Sequence, residues 1–213
     1  MMVKLLDLEP QRRDALLNAA LREFTLKGYD GASTNTIAKE AGMSKALMFH
    51  YVNSKQDLFL FVYDYFAELL DMEYFNRMDL TERDIFRRLR QSYLLQIELL
   101  RQYPWIFEFN KLSAATGSDE VNRELKKRAR KKQSVCAADI LAMTDDSPFR
   151  PGLDTAQCKQ FILWANIGFT NDILEEMRKS GYSAMDYAPI VEKIDGHFAE
   201  LRKIFYKTGK DRK

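Results

Sequence analysis

Residues 33–55, STNTIAKEAGMSKALMFHYVNSK, carry several helix punctuation marks in one short stretch. Ser and Thr oxygens accept from the free N–H groups of a first helical turn, so Thr34, Ser44 and Ser54 read as caps. Gly42 closes the first helix, because glycine enters the left-handed region without steric cost. Ile37, Ala38, Ala41, Met43, Met48 and Val52 fit a buried side, which leaves Asn35, Thr36, Lys45, Ala46, Leu47, His50 and Tyr51 outside. A helix of about eight residues, a short turn containing Gly and a second helix make the helix-turn-helix pattern, whose second helix suits a DNA major groove.

The remainder reads as helical too. Only 9 Gly and 5 Pro occur in 213 residues, and Leu, Ala, Glu, Lys and Arg recur in long periodic runs, so the expected class is all-α. With 46% apolar and 30% charged residues the chain is not disordered wholesale, and it is long enough for one sizeable domain or two smaller ones. A net charge of +2 is too small to indicate nucleic-acid binding by itself, so any DNA assignment rests on the local motif. The apolar run Leu58 to Tyr63 is bounded by Asp57 and Asp64, far short of the roughly 20 residues of a membrane span. Asp7 and Glu9 interrupt the N-terminal stretch, which therefore lacks a signal-peptide core, and a cytoplasmic protein without membrane partners is expected. Cys136 and Cys158 lack CxxC spacing and are expected to be buried thiols, with no disulfide framework, metal site or cofactor.

In chain order, a first helix runs from Glu9 to Lys27, with Ala15, Leu16, Ala19, Ala20 and Phe24 on one face and Gly28 and Gly31 closing it. After the two short helices, Lys55 opens a fourth that reaches about Arg77. Asp79-Leu80-Thr81-Glu82 reads as turn and cap for a fifth, which carries Ile85, Phe86, Leu89, Tyr93, Ile97 and Leu100 and stops at Tyr103-Pro104. Trp105 to Ala115 and Asp119 to about Met143 follow. The latter contains Arg123, Lys126, Lys127, Arg128, Arg130, Lys131 and Lys132, which point all round a helix and suit a solvated outer face beside the seam Val121, Leu125, Ala129, Val135 and Ile140. The loop Thr144 to Gly152 separates these from two long helices, Thr155 to Ser180 and about Met185 to Lys207. Both are more apolar than one surface each requires, so self-association of two copies is expected to bury the excess, including Phe161, Gly168, Phe169, Ile173, Ile194, Phe198, Leu201 and Phe205. Gly168, costly inside a helix, suits a close approach of two backbones.

Ala19-Ala20 with Phe24, Lys27-Gly28-Tyr29, Ala32-Ser33-Thr34, Ile37-Ala38, Ala41-Gly42-Met43-Ser44-Lys45 and Met48-Phe49-His50-Tyr51-Val52 ending in Ser54-Lys55 form a spaced set. In it the first 60 or so residues resemble the N-terminal domain of the tetracycline-repressor (TetR) family of bacterial transcription regulators. The resemblance implies an N-terminal three-helix DNA-binding domain, residues 1–54, joined through a shared fourth helix to a helical effector-binding and dimerisation domain, residues 55–213, about nine helices in all. It also implies a homodimer on a palindromic double-stranded operator, with half-sites about 34–36 Å apart.

The residue types agree with those roles. Lys45 offers hydrogen bonds to guanine O6 or N7, Leu47 packs on a thymine methyl, and Ala46 permits close approach to the groove floor. Asn35 is similar in position to a family residue that reaches a base, His50 lies on the exposed face of the recognition helix, and Thr34, Tyr51 and Lys55 fall where the family holds phosphates. Phe49 departs from the tyrosine common in the family, so a hydroxyl contact to phosphate there is lost or replaced.

The resemblance also implies a small-molecule pocket in the C-terminal domain. Tyr65, Tyr93, Ile97, Trp105, Phe109 and Trp164 are its candidate lining, with Asn110, Ser113 and Asn166 to orient a ligand, although aromatic residues at helical spacing are more often plain core. They point to an apolar or aromatic effector that relieves repression. No GxSxG, Gly-rich phosphate loop or HExxH is present, and the two histidines, His50 and His197, lie far apart, so an enzyme is not expected. The competing reading is an all-α dimeric adaptor without DNA binding.

Overall fold

The computed structural model describes residues 4–112, 116–129, 141, 143–180 and 186–208. Nine α-helices occur among them: α1 Pro10–Gly31, α2 Thr34–Glu40, α3 Lys45–Tyr51, α4 Lys55–Glu73, α5 Ile85–Gln102, α6 Ile106–Leu112, α7 Asp119–Ala129, α8 Thr155–Ser180 and α9 Ala188–Phe205. Short 3-10 turns cover Lys4–Asp7 and Phe75–Arg77. The all-α expectation holds. The helices fall into two compact units, one made of Met1–Glu73 with Gln102–Ser134, the other of Tyr74–Arg101 with Val135–Lys213.

In the first unit α1 starts with Pro10, whose missing N–H costs nothing there, and buries Leu16, Leu17, Ala20, Leu21 and Phe24 at helical spacing. It is interrupted at Gly28, which takes φ +66, ψ 174, a conformation closed to residues with a Cβ. Phe59 of α4 is the centre of the core. Its ring meets Phe24 at 5.0 Å, Tyr29 at 5.1 Å and Phe109 at 5.8 Å, joining α1, α4 and α6. A second cluster places Tyr103 edge-on to Phe66 at 4.9 Å, while the Tyr103 hydroxyl donates to Asp14 Oδ1 at 3.3 Å. Val121 and Leu125 seat α7, and Arg128 reaches α4, where its Nε donates to both Asp64 oxygens at 3.0 and 2.9 Å. Arg123, Lys126 and Lys127 are solvated as expected, but Arg128 is a structural tie instead.

In the second unit Phe86, Tyr93, Phe198, Phe149 and Tyr206 interlock, with ring centroids 5.0–6.1 Å apart. Asp84 caps α5: its Oδ1 accepts the N–H of Phe86 and of Arg87, both at 2.9 Å, and its carboxylate also receives the Arg202 guanidinium. The cap therefore lies beyond the predicted Asp79–Glu82 stretch, which folds on itself through Asp79 and Thr81. Arg88 is 1% exposed and donates to the carbonyls of Leu80 and Glu82, which fixes that loop. After Thr144 the loop runs antiparallel to the end of α9. There the Arg150 N–H donates to Phe205 O at 3.0 Å and the Lys207 N–H to Pro148 O at 2.8 Å.

Some helix ends differ from expectation. The fourth helix stops at Glu73 and is followed by a 3-10 turn, and the last begins at Ala188, with Pro189 in its first turn. Met143 has φ +58 and lies in a turn. Ser113, Ala115, Arg130, Lys131, Lys132, Val135, Cys136, Ile140 and Met185 lie outside the described residues. Cys158 is buried and free, and burial together with the nearby Asp154 raises its thiol pKa. Among the described residues no helix is long and apolar enough to cross a membrane.

Candidate nucleic-acid interface

The N-cap of α2 is Ser33, not Thr34: Ser33 Oγ accepts the Thr36 N–H at 3.4 Å, and Thr34 is the first helical residue. Ser33 is in turn held from α1, because Glu23 Oε1 accepts its backbone N–H at 2.9 Å. Glu23 is 7% exposed, so this carboxylate is placed inside the bundle to fix the entry to the helix-turn-helix.

The turn after α2 has the Schellman arrangement. Gly42 takes φ +67, its N–H donates to Lys39 O at 3.1 Å, and the Met43 N–H donates to Ala38 O at 3.0 Å. Ser44 then caps α3 by accepting the Leu47 N–H at 3.1 Å. Met48 and Val52 are fully buried against a bundle that also buries Ile37 and Ala38, and this sets the rotation of α3. Lys45, Ala46, Leu47 and His50 are left on the exposed face, with Phe49 and Tyr51 half-buried at its edges. Asn35 on α2 is likewise exposed. Lys45 Nζ lies 5.9 Å from the centroid of the Phe49 ring, so the residue that departs from the family pattern faces the lysine. The His50 ring stands edge-on to Tyr51 at 5.2 Å.

Lys55 is the first residue of α4, where Ser54 Oγ caps the helix by accepting the Asp57 N–H at 3.0 Å. Its Nζ donates to Asp30 O at 3.0 Å and sits 5.0 Å over the Tyr29 ring. A cation at a helix N-terminus is suited to an anion, since the unpaired N–H groups and the dipole add to its charge. The surface thus offers donors and small apolar groups along one short helix, flanked by a lysine at a helix start. That is a chemistry of groove and phosphate contact.

The candidate effector residues are divided between the units. Tyr65, Trp105 and Phe109 belong to the first, where the Tyr65 hydroxyl is 3.5 Å from that of Tyr103 and Phe109 is a core residue against Phe59. Tyr93 and Ile97 belong to the second and are buried. The Tyr93 hydroxyl is 2.6 Å from Thr170 Oγ1 and donates to Asn166 Oδ1 at 3.1 Å, and burial pushes its pKa up to about 12. Trp164 is separate from this group: it is 57% exposed and packs on Phe161, which is 50% exposed. The Asn110 side chain and Ser113 lie outside the described residues.

Of the residues expected at a self-association face, Phe161 and Gly168 are exposed, whereas Phe169 and Phe205 are half-buried. Ile173 on α8 and Ile194, Phe198 and Leu201 on α9 are buried instead, the stripe of α9 being spent inside the unit with Phe198 against Phe86 and Tyr93. Among the described residues α8 carries an exposed apolar stripe in which Phe161, Trp164, Ile167 and Gly168 follow helical spacing, while Ile204 is exposed on α9. Ile167, 51% exposed, is missing from the expected set, although its spacing from Trp164 was a usable signal.

Residues 16–66 match the family described as bacterial regulatory proteins, tetR family. Over 53 residues the chain is 49% identical to the HTH-type transcriptional regulator BetI of Agrobacterium fabrum (strain C58 / ATCC 33970), covering 25% of this chain and 26% of that protein. The match therefore spans about a quarter of the length of the curated relatives. Among solved structures, a TetR family transcriptional regulator from Chloroflexus aurantiacus J-10-fl is similar with a TM-score of 0.56 at 16% identity, covering 96% of this chain and 97% of that one. The ketosteroid transcriptional regulator KstR2 of Mycobacterium tuberculosis also gives 0.56, at 17% identity and 94% and 97% coverage. At these identities the two structures establish the likeness of fold.

Proposed function

We propose that this chain, which belongs to the TetR family through the helix-turn-helix domain within residues 16–66, is a ligand-responsive transcriptional regulator that binds a palindromic operator as a homodimer. The observation that carries the reading is the rotation of α3: Met48 is buried while Lys45, Ala46, Leu47 and His50 all face out. Lys45, Ala46, Leu47, His50 and Asn35 address base edges, and Thr34, Tyr51 and Lys55 hold phosphates. Residues 1–54 serve DNA, and residues 55–213 serve dimerisation and effector binding.

The dimer face is the α8 stripe of Phe161, Trp164, Ile167 and Gly168, whose apolar side chains water disfavours. The effector is a small apolar or aromatic molecule that favours a DNA-incompetent state and so relieves repression. Tyr93 and Ile97 remain candidate contacts in the second unit, as do Tyr65, Trp105 and Phe109 in the first; Trp164 serves the dimer face instead. No observation favours the adaptor reading.

The test is selection of bound fragments from the source genome, followed by titration of the enriched sequence and of random DNA at several salt concentrations. A palindromic fragment bound in preference, with affinity falling steeply as salt rises, is the expected result. Equal affinity for both DNAs would remove the operator assignment. For the effector, calorimetry across a broad panel of apolar and aromatic compounds should find one that binds and weakens operator affinity.

A further inference from the structure

Asp30 carries a carboxylate on the residue whose carbonyl already touches Lys55, yet the two charges do not pair. Asp30 Oδ2 instead accepts the backbone N–H of Gly117 at 2.6 Å, while the Asp30 carbonyl takes the Lys55 ammonium at 3.0 Å. Lys55 is left with a neutral carbonyl and the face of Tyr29 as partners. A carboxylate so near would ordinarily be drawn to the ammonium and would cancel the charge that a phosphate needs.

The group that diverts it is held by a hydrogen-bonded turn. Gly117 sits at the corner between α6 and α7, where the Thr116 N–H donates to Asn122 Oδ1 at 2.9 Å and Asn122 Nδ2 returns a bond to Thr116 O at 2.7 Å. The Ser118 N–H donates to Thr116 Oγ1 at 3.1 Å. At its other end α7 is tied to α4, the helix that begins with Lys55, through Arg128 and Asp64. The fit at the corner is close: a Cβ on Gly117 would stand 3.1 Å from Asp30 Oδ2 and 3.3 Å from Asp30 Cγ, nearer than side chains ordinarily approach.

We infer that Asp30 is a positioning residue for Lys55, and that the Gly117 N–H holds its carboxylate aside so that Lys55 meets the DNA backbone with its charge uncancelled. Displacing the α6–α7 corner releases the carboxylate onto Lys55 and weakens phosphate contact without touching the recognition helix. The inference rests on the assignment of Lys55 as a phosphate contact.

The experiment compares Gly117→Ala, Asp30→Asn, Lys55→Ala, and Gly117→Ala combined with each of the other two, titrating operator and random DNA over a range of salt. Gly117→Ala should weaken both DNAs alike, about three- to tenfold, with a salt slope lower by about 0.9, the share of one phosphate contact. Asp30→Asn in the Gly117→Ala background should restore the affinity, because a neutral amide cannot cancel the lysine. In the Lys55→Ala background Gly117→Ala should have no further effect on binding, an outcome that a general loss of structure would not produce. Thermal unfolding of each variant identifies any that does not fold, and Asn122→Ala, which loosens the same corner, then takes the place of Gly117→Ala. If Lys55→Ala changes neither DNA, the phosphate assignment falls and the inference with it. If Lys55→Ala weakens both while the corner variants bind as wild type, or if Asp30→Asn fails to rescue, the inference alone is overturned.

Discussion

Glu23 Oε1, on the buried side of α1, accepts the backbone N–H of Ser33 at 2.9 Å. Removing the carboxylate leaves a helix-entry N–H without its partner. Glu23→Ala should therefore cost about 1–3 kcal/mol in urea denaturation, the range for orphaning a buried polar group. Glu23→Gln, which keeps an acceptor oxygen, should cost less, and equal losses would show that the bond to Ser33 is not what matters.

Asp84 contributes to the acid limb of stability. Burial alone would raise its pKa, but the Arg202 guanidinium and the N–H groups of Arg87 and Phe86 outweigh that and hold it below the ordinary carboxylate range. The folded chain thus releases this proton more readily than the unfolded chain does. The resulting stabilisation is fully present above the unfolded value of about 4 and is lost as pH falls through the lowered one. Denaturant midpoints at neutral pH and below pH 4 should converge between wild type and Asp84→Asn as the pH falls. A constant difference across that window would contradict the assignment.

Base reading and phosphate holding separate by their dependence on sequence. Lys45→Ala should reduce discrimination between operator and random DNA by about 1–3 kcal/mol. Lys55→Ala should weaken both DNAs together. An equal loss on both DNAs for Lys45→Ala would make it a phosphate contact.

The exposed stripe of α8 predicts a charge-sensitive dimer. Because Trp164 and Phe161 are 57% and 50% exposed in the protomer, Trp164→Glu or Phe161→Glu should leave protomer packing nearly intact. Sedimentation velocity should show monomers, and operator affinity should fall, since each half-site then binds alone. Variants that sediment as wild type would place the interface elsewhere.

How far the fold was legible follows from the range of the forces involved. Gly42, Ser44, Ser54 and the Tyr103-Pro104 stop act on their own turns, so position in the sequence was enough to read them. The caps at Ser33 and Asp84 were displaced from the expected positions by a few residues or fewer, because several hydroxyl or carboxylate side chains competed locally and tertiary partners chose among them. Glu23 reaches Ser33 at the cap of the next helix, Arg202 finds Asp84 across 118 positions, and Arg128 finds Asp64 across 64. Nothing in local spacing marks those pairings. The outward face of α3 was readable because Met48 and Val52 fix its rotation. The apolar surplus of α8 and α9 was visible, but its division between core and surface depends on what α5 presents to them, and periodicity is silent on that.

The joining of the Pro148–Arg150 loop to the end of α9 bears on how the chain is made. Ribosomes deliver α5 early, yet among the described residues Phe86 meets the rings of Phe198 and Tyr206, Tyr93 those of Phe169 and Phe198, and Asp84 the guanidinium of Arg202, all from the last third of the chain. The first unit can close once Ser134 has emerged, while Tyr74–Arg101 must wait for nearly the whole remaining chain. A polypeptide that stops short of Arg202 keeps a finished first unit attached to an unsatisfied apolar helix, the kind of surface that chaperones and proteases recognise. Chains truncated before Arg202 should therefore be more sensitive to protease digestion than the full-length chain.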